Sequence, residues 1–371
     1  MIFEGDGPPC KRVAIFSIFA PTIEIANRLG RNKISVLLVL ASSTRSRIEN
    51  VESNVTVCYF GKRGIRNPLK ILSLLARFRP DLIHMWCSGG IFATVLLPFL
   101  EMFRFFTNCP RISTVMEPTP RLGMELTFSA RLRHLGLTEL QYEIKSASHI
   151  ITTNIDLQEV LEKQYGLSCN RIDIIPHLEW DASDFEKWKK DDINEEKWVL
   201  FFGTASENKG LEYLIKAEPL ITSKIPEAKI VIAGKGQSKY YSLIKHQESF
   251  LLFDRFINFE EGAELFQKSA LVVLPYTVAT MSGVIGEAYV FGKPIVASNI
   301  GGFPEFIDDG KTGILVPPRD SVALASAITY LLENEQMRKT MGKLAYKKLK
   351  SEFSWDVYSK RLLVLYNNMC G

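Results

Sequence analysis

At 371 residues and 46% hydrophobic content, the chain is too long for one ordinary domain and about right for two, each with a sizeable core. A formal charge of only +4, from 45 Lys and Arg against 41 Asp and Glu, excludes the apolar-poor, highly charged composition of a disordered chain. The six cysteines (Cys10, Cys58, Cys87, Cys109, Cys169 and Cys370) form no C-x-x-C pair, which excludes a cysteine zinc site and a disulfide framework and predicts a reducing cytoplasm.

The charge is uneven. Residues 1–133 hold 18 Lys and Arg against 9 Asp and Glu, a bias that suits an anionic partner such as a membrane surface or a phospholipid-linked acceptor, and equally a scattered solvated surface. The opening residues 1–12 are polar and turn-rich, so no secretory leader is expected. The longest apolar helical run, 91–99, is cut short by Glu101 and Arg104, well under the ~20 residues that a membrane span needs. No arginine- or lysine-rich stripe interleaved with aromatics appears, so a nucleic-acid partner is not expected.

In chain order, strands are predicted at 13–19, 35–40, 55–60, 81–86, 111–115, 149–153 and 172–176, with helical patterns at 69–78, 129–147 and 157–165. The aromatic stretch 99–106 reads as a packed helix or, alternatively, as a surface contact with a membrane through a face that turns Arg104 outward. His84 and Trp86 end a strand and read as core; His177 could line a ligand cleft. Residues 179–197, charged and poor in aliphatics, read as a linker. Beyond it, strands are predicted at 198–202, 229–233, 255–259, 271–276, 294–298 and 313–316, and helices at 321–333, 335–351 and 355–367. Short β-branched runs alternating with amphipathic helices predict an α/β chain: two doubly wound, Rossmann-like domains facing each other across a cleft, with ligands beyond the carboxyl ends of the strands.

Three junctions in the second half carry chemistry. The first is Phe202-Gly203-Thr204, running through Asn208 to Lys209 and Gly210, where a strand hands over to a helix and Lys209 can add a full charge beside unpaired amides. It reads equally as a surface lysine in a first helical turn. The second is Gly234-Lys235-Gly236, weak alone, whose glycines permit a ligand to approach the backbone. The third is Leu274-Pro275-Tyr276, then Thr280-Met281-Ser282-Gly283-Val284-Ile285-Gly286-Glu287, then Phe291-Gly292-Lys293-Pro294. Here amides at 283–285 can cradle a phosphate and Glu287, one turn on, can accept from ribose hydroxyls. A carboxylate there is also simply a good dipole partner.

These stretches, followed by Gly301-Gly302-Phe303-Pro304-Glu305, by 310–316 and by Phe353-Ser354-Trp355, resemble glycosyltransferase family 4 over about 199–368. The resemblance implies a retaining, metal-independent GT-B enzyme that takes a UDP- or GDP-linked sugar and needs no other cofactor. It implies an N-terminal acceptor domain over 1–180, a linker over 181–197, a nucleotide-sugar domain over 198–352, and a last segment, 353–371, whose helix returns to the first domain. Carried over by position, it assigns Gly203, Lys209 and Gly234 to the donor diphosphate, Ile257, Phe259 and Leu265 to the base, the amides of Ser282, Gly283 and Val284 to the phosphates, and Glu287 to the ribose. No metal ligands are assigned.

Departures from the family pattern are specific. Thr204 stands where a second phosphate-binding cation, an arginine, is usual; Ala279 stands where the first of two glutamates spaced eight apart is usual. Phe19-Ala20-Pro21-Thr22 replaces a glycine-rich loop, and Met116-Glu117-Pro118-Thr119-Pro120-Arg121 replaces a His-Asp pair. Glu117 is therefore the candidate to orient an acceptor hydroxyl and Arg121 the candidate to bind a phosphate on a glycan or lipid-linked acceptor, at the inner face of the membrane if lipid-linked. A non-catalytic sugar-nucleotide-binding subunit and a nucleotide-sugar epimerase remain alternatives.

Overall fold

The computed structural model describes residues 10–43, 50–61, 68–86, 91–116, 139–178 and 182–371. The chain divides into two compact units: Met1–Pro176 together with Trp355–Gly371, and His177–Ser354.

The first unit is built on a parallel sheet of seven strands: β1 (Arg12–Ser17), β2 (Ser35–Ala41), β3 (Val55–Phe60), β4 (Leu82–Trp86), β5 (Arg111–Thr114), β6 (His149–Thr152) and β7 (Ile172–Ile174), in the order β3-β2-β1-β4-β5-β6-β7. Strands β1, β2 and β4 are buried along nearly their whole length, which is why their sequences run apolar without alternation. Ala14, Phe16, Leu37, Val39, Ile83 and Met85 form one core with the helices that cover them.

One covering helix, Ile91–Thr107, continues through Glu101 and Arg104, where the sequence predicted an end to the apolar run. The two side chains pair at 2.7 Å, three residues apart on one face. Arg104 is not turned outward, as the amphipathic reading required. Its guanidinium donates to Ser146 O at 2.8 Å and Ser148 Oγ at 3.0 Å, while Phe105 and Phe106 are 85% and 78% exposed instead of packed. The other Glu101 oxygen accepts from Nε of Arg111 at 2.9 Å. Arg111 is wholly buried and also donates to Ser113 Oγ, Ser146 Oγ and Glu143 O.

The last helix, Trp355–Cys370, belongs to this first unit. Trp355 and Tyr358 pack on Trp86, at 6.3 and 5.7 Å between rings, and Tyr366 reaches His84. The His84 ring lies between the Tyr366 hydroxyl (2.5 Å from Nδ1) and Thr114 Oγ1 (2.7 Å from Nε2), so a neutral ring can donate on one side and accept on the other. Burial lowers the His84 pKa to about 3. An unfolded histidine titrates near 6.5, so between about pH 3 and 6.5 the unfolded chain binds a proton that the folded chain refuses, and stability is lost as pH falls through that window. The prediction is that the stability gap between wild type and His84→Gln shrinks by about 1.4 kcal/mol per pH unit between about pH 6 and 4. Urea midpoints measured at three pH values check this, and parallel pH dependences would defeat it.

The second unit carries a six-stranded parallel sheet: β8 (Trp198–Phe202), β9 (Lys229–Ala233), β10 (Phe250–Phe253), β11 (Ser269–Leu274), β12 (Ile295–Ser298) and β13 (Gly313–Val316), ordered β10-β9-β8-β11-β12-β13. A buried cluster lies on each face.

Two expectations are corrected here. The strand is Phe250–Phe253, not 255–259, and Phe259 opens the helix Phe259–Lys268 instead. Asn258 caps that helix by accepting from the amide of Glu261 at 2.8 Å, an N-x-x-E start that overrides the strand-like composition of 255–259. The segment read as a linker is also largely part of the second unit. The helix Ala182–Glu186 inserts Phe185 edge-on against Phe202, Phe259 and Phe266. Further on, Glu195 bridges Lys293 at 2.6 Å and Arg338 at 2.8 Å. Among the described residues no helix is long and apolar enough to cross a membrane.

Candidate functional site

In the second sheet β8 and β11 are neighbours, with β9 and β10 laid down to one side and β12 and β13 to the other. Reversal of winding at that point opens a crevice beyond the carboxyl ends of β8 and β11. The sequence delivers its three glycine-bearing junctions to this lip.

The first two are fused through their backbones. Gly203 donates its amide to Ala233 O at 2.8 Å, and the Ala205 amide donates to Lys235 O at 2.8 Å. A Cβ on Gly234, whose φ is +141°, would stand 2.1 Å from Gly203 O, so no other residue fits there. Below the loop, Gln237, 1% exposed, donates to Ile232 O and Gly234 O, and Asp254 accepts from the amides of Gly236 and Ser238. Neither role was anticipated from the sequence. The signal available was a polar residue directly after the Gly-Lys-Gly turn and an aspartate directly after β10.

The first and third junctions are fused as well. Gly210, at φ +60°, rests on Pro275, where a Cβ would stand 2.0 Å from the carbonyl oxygen. Thr277 donates its amide to Asn208 O at 2.8 Å. Lys209 is thus not in a first helical turn. It closes the short turn Glu207–Lys209, and the helix Leu211–Thr222 begins after it. Its ammonium lies 5.3 Å from the centre of the Tyr276 ring and 3.0 Å from where a Cβ on Gly203 would be. No carboxylate among the described residues stands within ion-pair distance of it, so the charge of this half-buried lysine is available to an anion.

The third junction ends in the helix Val284–Val290. Ser282, 8% exposed, meets the Tyr276 hydroxyl at 3.3 Å through its Oγ. Gly283 faces open space. The Ile285 amide is engaged by Ser282 O at 3.2 Å, which leaves Gly283 and Val284, rather than 283–285, as the amides for a ligand. Glu287 lies in the first turn and is 9% exposed. Tyr276, which no sequence signal marked beyond its place after Pro275, holds Lys209 on one side and Ser282 on the other.

Ile257 and Leu265 are buried at 8% and 5% exposure in the core that holds Phe185 and Phe266; Phe259 is half-buried, its ring 5.0 Å from Phe185. Thr204 is exposed and Ala279 is half-buried against the same core. His177 is wholly buried. In the first unit the Phe19-Ala20-Pro21-Thr22 segment forms a tight turn in which Phe19 O accepts from Thr22 Oγ1 at 2.6 Å. Glu117 and Arg121 lie outside the described residues.

Residues 183–348 match the family described as glycosyl transferases group 1, and residues 22–177 match glycosyltransferase family 4. An uncharacterized glycosyltransferase of Methanocaldococcus jannaschii is 31% identical over 180 residues, 47% of this chain; the match spans less than half of that relative, 45% of its length. Sucrose-phosphate synthase from Thermosynechococcus elongatus superposes with a TM-score of 0.70 at 18% identity, covering 96% of this chain and 98% of that one. The Anabaena protein HepE in complex with UDP and glucose superposes with a TM-score of 0.65 at 20% identity, covering 95% and 98%. At these identities the structural likenesses speak for the fold.

Proposed function

Because this chain belongs to the group 1 and family 4 glycosyltransferases and has their GT-B fold, we propose that it transfers a sugar, with retention, from a UDP- or GDP-linked donor to a glycan or lipid-linked acceptor. The observation that carries this reading is the Lys209 ammonium, which has no ion pair among the described residues, poised beside Gly203 and over Tyr276 at the lip of β8 and β11. Lys209 and the Gly203 turn hold the donor diphosphate, the amides of Gly283 and Val284 add donors, and Glu287 accepts from the ribose.

As the sugar leaves, negative charge grows on the diphosphate oxygen, and a fixed cation with preset amides stabilises that charge more than it stabilises the bound donor. In this reading Lys209 supplies the countercharge that a divalent cation supplies elsewhere, so transfer needs no added metal. The basic stretch 1–133 is assigned to the acceptor, with Glu117 and Arg121 as its contacts. The work takes place in the cytoplasm, at the inner face of the membrane when the acceptor carries a lipid.

A second reading, a sugar-nucleotide-binding subunit without turnover of its own, draws on Thr204 and Ala279, which remove a cation and a carboxylate from the family pattern. Incubation of the purified chain with sugar nucleotides, with and without membranes, separates the two. Release of nucleoside diphosphate that depends on an acceptor is the expected result; ligand-induced thermal stabilisation with no release under any condition supports the second reading.

A further inference from the structure

The second unit has a cavity of about 430 Å³ at the opposite end of the sheet from the donor loops, where β11 and β12 begin, walled by Ala270, Phe291 and Pro294. Its polar lining is Lys189, Lys293, Arg338, Lys339 and Lys343 against a single carboxylate, Glu195. Glu195 is shared by the buried Lys293 and Arg338, and Lys339 pairs with Glu335 one turn away on its own helix, so the cluster keeps a surplus of positive charge.

The surplus is costly as it stands. Lys293 is only 7% exposed, and its pKa is pushed down by burial, with Arg338 and Lys189 adding to the repulsion. Lys339 and Lys343 lie four apart on the helix Glu335–Lys348, a like-charge spacing that destabilises a helix. A bound anion reverses both effects. Lys189 and Lys343 are exposed and form no ion pair among the described residues, so their ammonium groups remain open to a ligand.

We propose that this cavity is a second ligand site, for a small phosphate-bearing anion of about sugar-phosphate size. Its volume falls within the range of small-molecule sites, roughly 300–1,000 Å³. A phosphate meets the surplus lysines, and the wall formed by Phe291 and Tyr346 takes the less polar body. The six residues of β11 separate the cavity from the donor lip by about 20 Å, so a ligand here does not compete with the donor diphosphate.

Glucose 6-phosphate, titrated against the full chain by calorimetry, tests the site, with glucose and sodium chloride of matched ionic strength as controls. Saturable binding is expected for the sugar phosphate alone. The paired substitution Lys189→Gln with Lys343→Gln, both on exposed side chains, is expected to weaken it at least tenfold while UDP affinity stays within twofold. Lys209→Ala is expected to do the reverse. Loss of glucose 6-phosphate binding in Lys209→Ala but not in the paired variant, an equal response to sodium chloride, or no saturable binding by the wild type would each overturn the proposal.

Discussion

Lys209→Ala is expected to weaken binding of uridine or guanosine diphosphate by about tenfold to a hundredfold. The loss of hydrogen bonds between a charged group and a diphosphate is worth about 1.5–3 kcal/mol. The substitution removes a cation that the structure places at the lip, beside Gly203 and over Tyr276. The fold should be untouched, because Lys209 has no ion pair among the described residues and the turn that carries it is fixed by Gly210 on Pro275. Calorimetric titration of the nucleoside diphosphate decides the matter. An affinity within twofold of wild type would remove Lys209 from the donor site.

The largest expected loss of stability lies in the first unit, at Glu101. Glu101→Ala removes the carboxylate that the wholly buried Arg111 pairs with at 2.9 Å and leaves the buried Glu143 as its nearby negative charge; breaking a buried ion pair costs about 3–5 kcal/mol. For a unit of this size that lowers its melting temperature by about 6–20 °C. The paired substitution Glu101→Leu with Arg111→Leu should cost less than Glu101→Ala alone, since removing both partners removes the stranded charge as well. Thermal unfolding of the three proteins measures both statements. A loss below about 1 kcal/mol in the single variant would mean that Ser113, Ser146 and the Glu143 carbonyl suffice to hold Arg111.

Much of this fold is legible because a parallel sheet writes itself as apolar runs: β3, β8, β9 and β13 begin and end where composition places them. The failures share a cause. At 255–259 aromatic and β-branched content outweighed the quieter Asn258 and Glu261, whose capping hydrogen bond starts a helix. At 182–186 the segment looked like a tether for want of aliphatics, yet Phe185 anchors it among three other aromatic rings. Composition averages over a window, whereas a cap or an anchor acts through one side chain.

The site was legible in part for a related reason. Lys209, Gly203, Gly283 and Glu287 stand at junctions that can be read from strand–turn–helix rhythm. That Gly234 abuts Gly203 and that Tyr276 lies between Lys209 and Ser282 depends on which strands are neighbours, a property of the sheet order alone.

The sheet order also bears on how the molecule comes into being. The chain completes β7, builds the whole of His177–Ser354, and only then supplies the helix that covers His84 and Trp86. The middle of the polypeptide is therefore able to mature as a continuous piece while the opening piece waits, its aromatic face bare, for the final segment to leave the ribosome. A nascent chain stalled before Trp355 is expected to yield a protease-resistant fragment from the middle and none from the beginning.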